Sequence, residues 1–119
     1  MPARMPKPVA SYFAAVNERN VRTFVAALAE DAVVEDEHRA HRGSEEIRHW
    51  LEGAIKRYDF TVEPTHVAKG GGTTTVTAIV TGGFPGSPVT LRHEFTLVGR
   101  KIVRLEIASG SSHAVPNLG

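Results

Sequence analysis

The sequence predicts an α+β domain in which three N-terminal helices pack on the concave side of a curved, mainly antiparallel sheet. Helical hydrophobic spacing is confined to residues before about position 58, and strand-like alternation dominates after it. Hydrophobic residues make up 41% of the 119 positions, which is enough to build the core of one ordinary domain. Amphipathic helices and a one-sided sheet bury their apolar faces most simply against each other.

Three helices are predicted from apolar stripes. The stripe of the first consists of Val9, Tyr12, Phe13 and Val16. Asn20 is placed to cap the second helix, whose apolar positions are Val21, Phe24, Val25 and Leu28. The third begins after Gly43 with Ser44 as the expected cap. Its buried stripe is expected to be Ile47, Trp50, Leu51 and Ala54.

One short strand, residues 32–36, precedes the third helix, and four strands after residue 58 form an antiparallel meander. Gly70–Gly72, "FPGSP" and a tight hairpin at Gly99 separate those four strands, and Pro64 indicates an edge or a bulge. The segment 37–42 is expected to be a solvated basic loop. We divide the chain into a flexible lead-in (1–8), a single domain (9–108) and a loose tail (109–119), and we expect the tail after Gly110 to be dispensable for folding.

Composition limits the partners. The net charge of +1 gives no electrostatic case for nucleic acid or an anionic membrane. No cysteines are present to form disulfides or thiolate metal sites, and no apolar run approaches the roughly 20 residues of a membrane span. We therefore expect a cytoplasmic protein without a cofactor. His38 and His41 have zinc-like spacing, but they lie in the expected loop without a third ligand in register, so no metal site is predicted.

Two candidate polar residues share strand faces with apolar ones. His93 has the parity of Leu91 and Phe95, so it faces inward either as a satisfied core histidine or as a pocket residue. Asp36 has the parity of Val34, but the opposite face also carries a valine, so parity alone leaves Asp36 inward or solvated. Tyr12 lies on the stripe of the first helix, where a tyrosine is usually a core residue with a hydrogen-bonded hydroxyl.

The stretches "YFAAVNERNVRTFVAALAEDAVVED" and "HRGSEEIRHWL" resemble the nuclear-transport-factor-2-like (NTF2-like) superfamily. Within it the similarity is closest to ketosteroid isomerases and SnoaL-like polyketide cyclases, and it covers about residues 9–108. The resemblance implies a cone-shaped α+β barrel of the cystatin-like type that encloses a small-molecule pocket. It also implies a homodimer through the outer sheet face.

Carried over by position, the resemblance implies Asp36 as the general base and Tyr12 as an oxyanion donor. His93 falls where ketosteroid isomerases have a protonated aspartic acid, so steroid isomerisation itself is not implied. The implied ligand contacts are Val34, Trp50, Leu91 and Phe95. Burial in such a pocket would raise the pKa of Asp36 above about 3.9.

The resemblance leaves more than one function open. One is cofactor-free proton transfer alpha to a carbonyl by an isomerase, a cyclase or a dehydratase. Another is a module that binds a small apolar, carbonyl-bearing molecule without turning it over. A third is a dimeric structural domain of the same fold. Turnover or mere binding of an enone separates the first two functions, and the third predicts neither.

Overall fold

The computed structural model describes residues 5–36 and 38–109. The three helices are α1 (Lys7–Glu18), α2 (Val21–Ala26) and α3 (Ser44–Tyr58). The strands are β1 (Leu28–Asp36), β2 (Arg39–Arg42), β3 (Thr61–Gly70), β4 (Thr73–Thr81), β5 (Val89–Val98) and β6 (Lys101–Ser109). Helix α1 thus starts inside the expected lead-in, while residues 1–4 and most of the expected tail lie outside the described residues.

The six strands form one sheet in the order β2-β1-β6-β5-β4-β3. All neighbours are antiparallel except β1 and β6, which run parallel and join the first and last strands of the chain. The predicted α+β class is confirmed. The expected loop over 37–42 is wrong for residues 39–42, because they pair with β1 as the edge strand β2 and obtain backbone hydrogen bonds there.

The helix boundaries follow local signals in two different ways. The Asn20 side chain accepts a hydrogen bond from the Thr23 amide, which confirms it as the cap of α2. The expected cap Ser44 is instead the first residue of α3, and Gly43 precedes it with a φ of 86° and no side-chain cap. The carboxylate of Glu46 reaches back to the Arg42 amide at 3.0 Å, so an acidic side chain stabilises this helix start.

The turns of the meander lie at the predicted turn residues. A register shift changes which residues of β6 face the core. Pro64 lies in the edge strand β3, beside a register shift. A second shift, between Thr96 and Leu97 of β5, lies opposite Val103 of β6. Because of that extra residue, Ile102 is buried although simple alternation would place it on the exposed face of Arg104.

The core lies between the helices and one face of the sheet. Its largest fully buried side chains are Phe24, Phe95, Ile47, Leu51, Ile102 and Leu105. Leu51 is 1% exposed, as the α3 stripe predicts, whereas Trp50 is only partly buried. No helix in the described part of the chain is long and apolar enough to span a membrane.

Asn17 joins α1 to the edge strand β3. Its side-chain amide donates to the Val62 carbonyl at 2.8 Å, and its side-chain oxygen accepts from the Val62 amide at 2.8 Å. The side chain therefore imitates a neighbouring strand at one position of an otherwise open edge. This pair of bonds helps to hold α1, which carries Tyr12, against the sheet.

Replacement of Asn17 by alanine is expected to lower the free energy of unfolding by about 1–3 kcal/mol, because two hydrogen bonds to Val62 are lost. Urea denaturation measures the change. The control is Thr65→Val, which removes one exposed bond from the same strand to the Thr77 carbonyl and should cost clearly less. Equal stability of the two variants would contradict a clamping role for Asn17.

Candidate functional site

Two of the predicted site residues lie in one row across the inner face of the sheet. In the β1–β6 register Asp36 is opposite Ile107, and in the β5–β6 register Ile107 is opposite His93. Asp36 and His93 are thus two strands apart, or about 10 Å at ordinary strand spacing. Ile107, which is 7% exposed, forms an apolar floor between two polar ends.

Tyr12 of α1 covers this row. It is 3% exposed, and its ring centroid lies 6.3 Å from that of His93. Phe13 and Phe95 complete an aromatic cluster, with centroids 5.2 and 6.3 Å from the His93 ring. The helix stripe and the strand parity therefore bring Tyr12 and His93 to one place, as their periodicities predict.

His93 is a neutral imidazole held in an apolar environment. It is 3% exposed, and burial lowers its pKa to about 4, although backbone groups of Val76 and Leu91 offset part of the shift. Its Nδ1 atom is buried and makes no hydrogen bond to any residue in the described ranges. A buried polar atom without a partner costs about 1–3 kcal/mol, and such an atom requires an explanation.

Tyr12 is held as a neutral phenol. Burial raises its pKa above the ordinary value, and the negative charge of Asp36 raises it further. The phenol therefore keeps its proton at any physiological pH and remains a hydrogen-bond donor.

Asp36 lies at the end of β1, partly buried, on the face that carries the fully buried Ala32 and Val34. Trp50 of α3 donates its indole Nε1–H to Asp36 Oδ2 at 3.2 Å. His41 of β2 lies against the indole, with ring centroids 5.6 Å apart. Arg39 is the register partner of Asp36 in β2, so a cationic residue occupies the position directly opposite Asp36 in the hairpin.

The predicted ligand contacts differ in accessibility. Val34 and Phe95 are both 0% exposed, so they belong to the packed core in this conformation, whereas Leu91 and Trp50 are partly exposed.

An open cleft elsewhere on the domain includes none of the predicted site residues. It is lined by Lys7, Pro8, Ser11, Thr23, Ala26, Ala27 and Arg100.

Sequence reasoning did not identify Ile107 or His41 as neighbours of the site. Ile107 alternates with exposed residues like any strand residue, and only the register places it between Asp36 and His93. His41 could be found only by recognising residues 39–42 as a strand paired with β1.

The outer face of the sheet carries charges in rows. Glu35, Glu106 and Glu94 are successive register partners across β1, β6 and β5. Arg104 bonds Glu35 at 2.5 Å, and Arg92 lies 3.8 Å from Glu94. In the part of the chain that the structure describes, Glu106 has no ion-pair partner within 4.0 Å.

The chain matches a known protein family and known structures. A family model described as a SnoaL-like domain matches residues 9–105. Among curated proteins, none matches the chain significantly. The predicted similarity to SnoaL-like and ketosteroid-isomerase-like proteins is confirmed, and the fold is the NTF2-like, or cystatin-like, α+β fold.

Three solved structures illustrate the similarity. A candidate polyketide cyclase from Sinorhizobium meliloti is 40% identical with a TM-score of 0.84, over 87% of this chain and 94% of its own. A hypothetical protein with a ketosteroid isomerase-like fold from Catenulispora acidiphila, in complex with trimethylamine, is 22% identical (TM-score 0.80; 92% and 90% covered). A candidate ketosteroid isomerase from Kribbella flavida is 19% identical (TM-score 0.76; 92% and 80% covered). The last two similarities concern the fold alone.

Proposed function

This chain belongs to the SnoaL-like domain family, and we propose that it catalyses proton transfer alpha to a carbonyl group of a small apolar molecule, without a cofactor. Asp36 is the general base, and Tyr12 and His93 are hydrogen-bond donors. The observation that carries the proposal is the row Asp36–Ile107–His93, which lies under Tyr12. A base and two donors at opposite ends of an apolar floor suit a ligand with an acidic C–H bond and a carbonyl oxygen.

The protonation states support this assignment. Tyr12 remains a phenol because burial and the charge of Asp36 raise its pKa. His93 remains neutral at physiological pH because burial lowers its pKa to about 4. A neutral His93 donates from one ring nitrogen without adding a positive charge that would weaken Asp36 as a base. Both donors thus keep a fixed state while only Asp36 changes charge during the reaction.

The chemical step follows from these states. The Asp36 carboxylate takes the alpha proton, and the electron pair of the broken C–H bond moves into the new C=C bond as the carbonyl oxygen becomes an enolate oxygen. Donors aimed at that oxygen stabilise the developing charge. Protonated Asp36 then returns the proton to carbon in an isomerisation or to a leaving hydroxyl group in an elimination. In an aldol closure the enolate carbon attacks a second carbonyl carbon of the ligand, and Asp36 protonates the alkoxide that forms, so all three reactions share the same first step.

A binding function is the second candidate. Tyr12 and His93 are each 3% exposed, so a ligand reaches them only if α1 or a neighbouring side chain moves. In a binding module the same polar groups would only orient a carbonyl-bearing ligand. The two functions differ in one measurable event, the breaking of a C–H bond.

Hydrogen–deuterium exchange in D₂O tests the proposal with a panel of β,γ-unsaturated ketones and β-diketones, followed by proton NMR. We expect the protein to accelerate loss of the alpha-proton signal of at least one ketone. Saturable binding without accelerated exchange would overturn the catalytic proposal and establish the binding module. Neither binding nor exchange would favour a structural domain.

We also propose that the outer sheet face forms a homodimer. The row of Glu35, Glu106 and Glu94 places three carboxylates side by side. Arginines of the same chain pair with Glu35 and Glu94, and Glu106 has no such partner among the described residues. Rows containing Arg104 and Arg92 flank it. In the proposed dimer we expect an arginine of the second copy to pair with Glu106.

Light scattering at micromolar concentration is expected to give the mass of two 12.9-kDa chains. Thr75→Asp, on β4 next to Glu94, should shift the protein toward monomer because it adds a fourth carboxylate to this row at the interface. His49→Asp, on the exposed surface of α3, is the control and should leave the mass unchanged. A monomeric wild type would remove the dimer proposal.

A further inference from the structure

Trp50 is expected from the family resemblance to touch the ligand, but its polar atom is already engaged by Asp36. The indole Nε1–H donates to Oδ2 of that carboxylate at 3.2 Å, within the range of an ordinary hydrogen bond. Trp50 comes from α3 and Asp36 from β1, so the bond joins a helix to the strand end that carries the candidate base.

The indole is itself held on one face. The His41 ring lies 5.6 Å from it between centroids, with the two planes 30° apart. His41 is the register partner of Val34, so it lies on the inner face of β2, two residues beyond Arg39. The short edge strand β2 thus supplies a second contact that restrains Trp50.

We propose that Trp50 is a positioning residue for Asp36: its indole N–H orients the carboxylate of the base, and His41 restrains the indole. This inference rests on the proposed function, because orienting a base matters only if Asp36 acts on a bound molecule. Neither residue touches the reacting atoms.

The chemistry of indole fits this role. An indole N–H donates a hydrogen bond but accepts none, so Trp50 cannot compete with Asp36 for the substrate proton. A donor on Oδ2 restricts rotation of the carboxylate, and productive geometry in a catalytic site requires placement within about 0.5 Å. The same bond favours the charged form of Asp36, so it trades some basicity for orientation.

The chain contains one tryptophan, and its indole N–H signal in a ¹H–¹⁵N NMR spectrum is therefore unambiguous. We expect this signal to shift between about pH 3 and pH 6 as Asp36 takes up a proton, and the shift to vanish in Asp36→Asn. His41→Phe is the matched control, because it keeps an aromatic ring against the indole and removes the imidazole, and the shift should remain in this variant. An indole signal that does not move, or that moves equally in Asp36→Asn, would overturn the inference.

A second variant separates positioning from packing. Trp50→Phe keeps a ring on α3 and removes the N–H, so the titration midpoint of Asp36 should rise by about one pH unit. Because this variant has no indole signal, the midpoint is read from the acid limb of the pH profile of the exchange rate, which should move to higher pH by the same amount. The maximal exchange rate should fall about tenfold. A purely structural tryptophan would change stability and leave the midpoint in place. A folded Trp50→Phe protein with an unchanged midpoint and rate would overturn the inference.

The two proposals fail in different ways. If the indole signal follows Asp36 but no ketone exchanges protons, the catalytic function is wrong while the Trp50–Asp36 hydrogen bond remains. If ketones exchange and Trp50→Phe changes neither midpoint nor rate, the function remains and the positioning role is wrong. The wild-type indole titration decides the hydrogen bond even if Trp50→Phe does not fold.

Discussion

Replacement of Asp36 by asparagine is expected to slow alpha-proton exchange by about 10²- to 10⁴-fold, the usual contribution of a general base. Asparagine has nearly the same shape, and its side-chain oxygen can still accept from the Trp50 indole. It cannot take a proton from carbon. The fold should survive, so the loss appears in the rate measured by NMR in D₂O and not in the folded fraction.

Glu35→Gln is the matched control for this substitution. Glu35 precedes Asp36 in the same strand but lies on the outer face, where Arg104 bonds it at 2.5 Å. Removing its charge changes the same strand end by the same kind of substitution, yet it should leave the exchange rate within a factor of about three, because general-base help requires contact with the proton that is removed. Equal losses in the two variants, or an unchanged rate in Asp36→Asn, would contradict the assignment of Asp36 as base.

His93 is expected to make the protein less stable as the pH falls from about 6.5 to about 4. Its pKa is about 4 in the folded protein, against 6.5 for an unperturbed imidazole. Within this window the unfolded chain binds a proton that the folded protein does not, so the free energy of unfolding rises with pH. Since His93 is 3% exposed, solvent screens little of the effect. The shift corresponds to a loss of about 3 kcal/mol at the low end.

His93→Phe removes this contribution. We expect urea denaturation at several pH values to show a stability difference between wild type and variant that changes by about 3 kcal/mol across the window. At pH 7 the variant should remain folded, because a phenyl ring suits an environment that already contains Tyr12, Phe13 and Phe95. Carboxylates titrate in both proteins and cancel in the difference. His49→Gln is the exposed control and should retain the wild-type pH dependence; the same retention in His93→Phe would contradict burial of a neutral ring.

Periodicity predicts which residues face the core, and it does so here for both helices and strands. The stripe through Tyr12 and the parity of His93 need only local geometry, since side chains recur every 3.6 residues in a helix and every two in a strand. The row that joins Asp36 to His93 depends instead on how three strands slide past one another. Shifts between Leu28 and Val33 and between Thr96 and Leu97 set that register, and no residue pattern predicts their position.

The surroundings of Asp36 could not be read from composition for a related reason. β2 has only four residues, and Arg39, His41 and Arg42 make it resemble a charged loop. Its strand geometry comes from pairing with β1, a tertiary interaction that overrides weak local preference. Consequently the contact between His41 and Trp50 becomes visible only when both elements are in place.

The parallel pairing of β1 with β6 has a consequence for synthesis of the chain. Leu28 pairs with Ile102 and Asp36 with Ile107, so the seam of the sheet joins residues more than seventy positions apart. Contacts this distant form late in folding, because a long loop must close before they contribute. A nascent chain on the ribosome can assemble the helices and much of the meander, but Asp36 acquires its apolar neighbour only after the last strand has emerged. The candidate base therefore stays apart from His93 until the rest of the domain is complete, so the candidate site and the full six-stranded sheet arise in the same step.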